Sequence, residues 1–192
     1  MTDKLLRTFL AVPIPGEVRS KKNMLYSTLE TIEGEINWVK SAHLHLTLKF
    51  LGQTPESSIN GIIDEIEKIT PKFKPFDLCI EGTGCFPIET RPRTLWLGVN
   101  GETAPLLKLV EKIDATLDTM GFPKSNQDYT PHITLARIKY PQKNTPIIDP
   151  FLKSSYGAIN FPVNRVQFFC SELHPSGTIY SILKTFPLGE KI

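Results

Sequence analysis

Two histidines and two threonines recur in one short pattern, and together they are suited to acid–base work on a phosphate. The first copy, His45-Leu46-Thr47-Leu48, lies within Ala42-His43-Leu44-His45-Leu46-Thr47-Leu48-Lys49-Phe50-Leu51-Gly52. The second, His132-Ile133-Thr134-Leu135, lies within Tyr129-Thr130-Pro131-His132-Ile133-Thr134-Leu135-Ala136-Arg137. Polar and apolar residues alternate in both copies, and both are rich in strand formers, so both read as β-strands. Side chains two apart on a strand share a face. Histidine and threonine therefore point one way in each copy, while leucine and isoleucine point into a core. Side by side, the strands would offer two imidazoles and two hydroxyls. One imidazole can deprotonate a nucleophile and the other protonate a leaving oxygen, with the hydroxyls on the non-bridging oxygens. Histidine suits both roles because its unperturbed pKa is about 6.5. A single H-x-T strand means little. Two in the same register, among four histidines in all, mean much more.

The chain of 192 residues is long enough for one large domain or two small lobes. Its formal net charge is +2, with acidic and basic residues interspersed. No basic block of the kind that grips a duplex over many phosphates is present. A small phosphorylated ligand, or the end of an RNA, fits this balance better. Cys79, Cys85 and Cys170 lack C-x-x-C spacing, and read as reduced cysteines rather than a disulfide framework or zinc site. Met1-Thr2-Asp3-Lys4 has no signal-peptide apolar run, and no stretch is long enough to span a bilayer. The expectation is a cytoplasmic protein with no membrane contact.

Several elements must position the two motifs. Leu5 to Val12 reads as a first strand with Arg7, Phe9 and Ala11 on one face. That pairing suits a phosphate and a stacked base at a cleft, or equally an edge-strand arginine beside a half-buried phenylalanine. Pro13-Ile14-Pro15-Gly16 breaks the strand. Glu17 to Ile32 then carries Val18, Met24, Leu25, Leu29 and Ile32 near helical spacing, with Gly34 as its end. A short strand over 36–39 precedes the first motif. Thr54 or Pro55 opens a second helix with Ile59, Ile62, Ile63, Ile66 and Ile69 on one face, closed by Pro71. Strands are predicted over 76–85 and 94–99, joined by a loop that holds Arg91 and Arg93. Ala104 to Met120 reads as a helix with Leu106, Leu109, Val110, Ile113 and Leu117 inward and Gly121 as its stop. Tyr140 to Pro150 reads as irregular and Asp149 to Ser155 as a short helix. Val163 to Leu173 and Ile179 to Phe186 read as a hairpin turned by His174-Pro175-Ser176-Gly177, with His174 exposed. The motifs stand about half the chain apart in a similar order of elements. The expected fold is α+β: two pseudo-symmetric lobes, each an antiparallel-rich sheet with outer helices, around a central cleft. Residues 1–192 then form a single domain of two interleaved lobes.

With these residues in view, the chain resembles the two-histidine (2H) phosphoesterases, and most closely the RNA 2′,3′-cyclic phosphodiesterases, also described as 2′-5′ RNA ligases. Besides the two motifs, the resemblance rests on Arg7-Thr8-Phe9-Leu10-Ala11-Val12, Trp38-Val39, Phe169-Cys170-Ser171-Glu172-Leu173 and Tyr180. It implies hydrolysis, without metal or cofactor, of a 2′,3′-cyclic phosphate on a nucleotide or RNA 3′ end, leaving a 2′-phosphate. It also implies His45 as proton donor and His132 as proton acceptor, roles that sequence alone leaves interchangeable, with Thr47 and Thr134 on phosphate oxygens. Arg137 matches a phosphate-contacting arginine of the family. Strict alternation from His132 puts Arg137 on the opposite face, so a bulge or the strand's end must turn it inward. Arg7 and Phe9 are candidates for phosphate and base contacts. His43 shares a face with His45, Thr47 and Lys49 on the same alternation, and reads as a residue of the cleft rim. A His pair two apart can bind metal, but no carboxylate or cysteine lies near it in sequence. The expected state is a monomer. Rival readings are 2′-5′ ligation by the reverse reaction and a non-catalytic RNA- or nucleotide-binding module, which would keep Arg7, Phe9 and the Arg91 to Arg93 loop without needing two histidines.

Overall fold

The alternating runs pair into sheets because only pairing satisfies their backbone groups while one face is buried. The computed structural model describes residues 3–28, 36–139, 146–175 and 177–189. One antiparallel sheet has the order β3-β1-β8-β9, from β1 (Leu5–Pro13), β3 (His45–Pro55), β8 (Arg165–His174) and β9 (Gly177–Pro187). A second has the order β2-β6-β5-β4-β7, from β2 (Ile36–Trp38), β4 (Phe76–Phe86), β5 (Thr94–Gly101), β6 (His132–Ile138) and β7 (Ile159–Val163). This is the expected α+β architecture of two antiparallel sheets. The strands are interleaved: the first sheet joins both ends of the chain. The motif strands β3 and β6 belong to different sheets and pack against each other.

Four helices accompany the sheets among the described residues: α1 (Val18–Ser27), α2 (Ile59–Ile69), α3 (Thr103–Asp118) and the single-turn α4 (Asp149–Leu152). The helical spacing read from sequence holds on α3, where Leu106, Leu109, Val110, Ile113 and Leu117 are all buried. It holds on α2 through Ile62, Ile66 and Ile69. On α1 only Val18 and Leu25 are buried, and Met24 is 41% exposed. Leu29, Ile32, Gly34, Tyr140 to Thr145 and Ser176 lie outside the described residues. No described helix is long and apolar enough to cross a membrane.

The register of the motif strands is strongly specified. Leu46, Ile133 and Leu135 are fully buried, each worth roughly 2 kcal/mol relative to exposure. A one-residue slip would exchange them with the histidines. One strand departs from expectation. Val163 is expected to open the strand that runs to Leu173, with no strand before it. In the fold β7 ends at Val163 and β8 starts at Arg165. β7 is an edge strand, where proline's missing donor is tolerated.

Candidate active site

Each motif strand carries a bulge at the same place. In β3, Thr47 pairs with Ala11 and Lys49 with Leu10, so Leu48 is the extra residue. In β6, Thr134 pairs with Trp96 and Ala136 with Leu95, so Leu135 is the extra residue. Two consecutive side chains are therefore buried in each strand, Leu48-Lys49 and Leu135-Ala136. Beyond the bulge the alternation reverses phase. Arg137 thereby returns to the face of His132 and Thr134, which resolves the mismatch with strict alternation. In β3 the same device turns Lys49 away from His45 and Thr47, against the shared face expected from simple alternation. Lys49 is 7% exposed and donates to Asp114 Oδ1 at 2.6 Å and to the Pro123 carbonyl at 2.9 Å. Phe50 takes the position equivalent to Arg137. It is 53% exposed, with the Arg7 guanidinium carbon 5.0 Å from its ring centroid. Phe50 is not among the residues expected from sequence, although each motif histidine is followed five residues later by Phe50 or Arg137.

The two imidazoles are held alike. His45 Nδ1 bonds the His43 carbonyl at 2.6 Å, and His132 Nδ1 bonds the Thr130 carbonyl at 2.7 Å. A carbonyl only accepts, so Nδ1 carries the hydrogen in both rings and Nε2 is the nitrogen left for chemistry. The surroundings differ. His45 stacks on Phe9 at 4.7 Å, Phe9 stacks on Phe169 at 5.0 Å, and Tyr180 meets both His45 and Phe9 edge-on. Phe9 is 3% exposed. It lies under the His45 ring rather than open to a base, so its place in the site is as a platform. His132 meets Phe86 edge-on at 5.0 Å and Trp96 at 6.1 Å. His43 lies over Tyr180 at 4.3 Å, beside His45.

Burial holds the His45 pKa down to about 4; its carbonyl bond opposes this, and the nearby His43 and Arg137 add to it. Burial and Arg137 lower that of His132 as well, again opposed by the carbonyl bond. The Arg137 charge thus acts on both imidazoles, and with Arg7 it also acts on the Tyr180 phenol. Arg137, Arg7, Tyr180 and both histidines share one electrostatic neighbourhood, although they come from different strands. The motifs are also tied directly, since the Tyr129 hydroxyl donates to the Thr47 carbonyl at 2.8 Å. A groove of about 940 Å³ opens beside His132, with Thr47, Phe50, Phe86, Lys124 and Tyr129 among its walls. A smaller pocket of about 260 Å³ adjoins His43 and His45. Among the described residues, no group of three or more His, Cys, Asp or Glu is placed to hold a metal ion. His174 is exposed beside Glu172.

A model of the 2′-5′ RNA ligase superfamily matches residues 33–173, which include both motifs. The chain belongs to this superfamily. It is 32% identical over 179 residues to an RNA 2′,3′-cyclic phosphodiesterase of Thermotoga maritima, covering 93% of each chain. It is likewise 32% identical over 187 residues to one of Methanothermobacter thermautotrophicus, covering 95% of this chain and 99% of the other. Among solved structures it is similar to TT0787 of Thermus thermophilus, with a TM-score of 0.79 and 31% identity over 97% of this chain and 100% of that one. It shares its fold with E. coli LigT crystallised with 3′-AMP, with a TM-score of 0.76 and 23% identity over 97% and 99% of the two chains.

Proposed function

We propose that the chain is an RNA 2′,3′-cyclic phosphodiesterase that opens the cyclic phosphate of a nucleotide or RNA 3′ end to a 2′-phosphate. The observation that carries this reading is the matched pair of imidazoles, each with Nδ1 engaged by a carbonyl and Nε2 left for a substrate, under the shared charge of Arg137. The relatives named RNA 2′,3′-cyclic phosphodiesterase support the substrate class.

In this scheme a water oxygen bonds to phosphorus as the bond from phosphorus to the 3′-oxygen breaks. His132 Nε2 takes the water proton, and protonated His45 gives its Nε2 proton to the 3′-oxygen. Thr47 and Thr134 donate to the non-bridging oxygens, and Arg137 balances the charge that builds on them. Both imidazoles are disposed to be neutral in the free protein. The phosphate anion, once bound, favours protonation of its neighbour and supplies the acid. Arg7 stands over Phe50 at the cleft, where the pair offers a stacking face and a cation to the nucleotide. A 5′-hydroxyl in place of water would open the same ring to a 2′-5′ linkage; both outcomes relieve the ring strain, and water at its far higher concentration favours hydrolysis. The reading takes residues 1–192 as one catalytic domain of two interleaved lobes, working as a monomer in the cytoplasm.

The test is to incubate the purified protein with a nucleoside 2′,3′-cyclic phosphate and a chelator, then identify the product isomer. The nucleoside 2′-phosphate is expected at an undiminished rate. Loss of turnover with chelator, or a 3′-phosphate product, overturns the scheme.

A further inference from the structure

The small pocket beside His45 has a composition that the proposed reaction does not account for. Arg19 from α1, Ser41 and His43 from the turn before β3, and Gln167 and Tyr180 from β8 and β9 stand around it, and among the described residues no Asp or Glu lines it. The Lys22 ammonium lies 3.5 Å from Ser41 Oγ and has no ion-pair partner among the described residues. Burial holds the Lys22 pKa below its ordinary value, with no carboxylate opposing the effect. His43 is likewise lowered by burial and by the charge of Lys40. Arg19 and His43 thus line one concavity, with Lys22 beside it at Ser41, and no acid among the described residues stands on its wall. Like charges brought together and partly desolvated repel unless an anion joins them.

We propose that this pocket is a second anion site, which receives the 5′-phosphate of the nucleotide whose cyclic phosphate reacts. The inference rests on the proposed reading in which His45 protonates the 3′-oxygen. That role puts the ribose on the His45 side of the phosphorus. Only C3′, C4′, C5′ and the 5′-oxygen then separate the leaving oxygen from the 5′-phosphorus, and His43 is the next side chain beyond His45. The pocket volume of about 260 Å³ lies below the roughly 300 Å³ at which pockets begin to take whole drug-sized ligands. It has room for a phosphate with a few waters, at about 30 Å³ for each water. The subsite makes the chain a reader of strand ends: an internal phosphodiester, or a 5′-phosphate on a mononucleotide, engages it, and a bare nucleoside cyclic phosphate does not.

The experiment has two arms. In the first, kcat/KM is compared for a nucleoside 2′,3′-cyclic phosphate with and without a 5′-phosphate, at low and high salt. The 5′-phosphorylated substrate is expected to be favoured about tenfold through KM, the scale of one charge-assisted hydrogen bond, with the preference shrinking as salt rises. In the double variant Arg19→Ala, Lys22→Ala the ratio falls to about one, while Lys72→Ala, on a surface remote from the site, keeps it. In the second arm, calorimetry compares a nucleoside 2′,5′-bisphosphate with the 2′-monophosphate, and the same ratio is expected. This arm needs no turnover, so it still decides the subsite if the hydrolase reading fails. Equal affinity for the two ligands in the wild-type chain, or a preference that survives the double variant, overturns the proposal.

Discussion

The Tyr129 hydroxyl donates to the Thr47 carbonyl at 2.8 Å, so a residue three before one motif histidine holds the residue two beyond the other. Thr130, next to Tyr129, supplies the carbonyl that orients His132. One dipeptide therefore touches both halves of the site. Lys49, from the same strand as Thr47, reaches Asp114 and the Pro123 carbonyl and pins the start of this connecting segment. Tyr129→Phe keeps the ring and removes one partly buried hydrogen bond. About 1 kcal/mol of stability should be lost in denaturant titration. A several-fold fall in kcat with little change in KM is expected, because the spacing of the motifs loosens. An unchanged kcat would mean that strand packing alone holds the spacing.

His45→Ala and His132→Ala should each lower kcat by on the order of 10²-fold or more, the scale of a lost acid or base, with a substrate analogue still bound. The double variant should lose little beyond the worse single one, since the two act as a unit. Steady-state rates and analogue binding check this; near-normal turnover in either single variant rejects the shared scheme.

The pH profile follows from the depressed histidines. The His45 pKa is held at about 4 and that of His132 below its ordinary value. Chemistry needs one ring protonated and the other neutral. The profile of kcat/KM, which reports the free protein, should therefore peak below pH 6.5 and fall as pH rises and the acid is lost. Bound phosphate raises the proton affinity of the imidazole next to it, so the kcat profile should lie at higher pH. The same linkage makes anion binding take up protons and tighten as pH falls. Rates across pH and calorimetry in buffers of differing ionisation enthalpy measure both effects.

Phe9 offers a test of platform against ligand contact. Phe9→Leu retains most of the buried volume and should cost less than about 1.5 kcal/mol. It removes the face on which His45 rests, so kcat should fall by roughly tenfold, the effect of a catalytic group displaced slightly from its best position. KM should hardly depend on which base the substrate carries. A base-dependent rise in KM with kcat intact would instead assign Phe9 to the ligand.

Much of this site can be read from sequence because its strands obey simple alternation up to the threonine of each motif. His45, Thr47, His132 and Thr134 occupy the face that period-two reading gives them. Helices α2 and α3 declared themselves through isoleucine and leucine at helical spacing. Alternation fails one step later, where Leu48 and Leu135 bulge. A bulge has no residue signature in these strands, so Lys49 was placed on the wrong face and Phe50 was passed over. For Phe9, periodicity gives the face and not what lies on top of it: a histidine from the neighbouring strand covers the ring. The short edge strand β7 has no counterpart among the expected elements; it holds Pro162, and only the fold reveals an edge position where the missing donor is harmless.

The paired bulges carry a last consequence. Two half-sites related by a pseudo-dyad would greet a ligand identically from either direction, and could not tell a 2′-oxygen from a 3′-oxygen. On the proposed reading the fifth residue after each histidine adds to the difference between the halves, because one half presents Phe50, with Arg7 over its ring, and the other presents Arg137. On that reading a nucleotide has a preferred heading, with its base toward Phe50. Exchanging these two side chains, with both histidines untouched, should weaken the enzyme's choice of which ring oxygen departs.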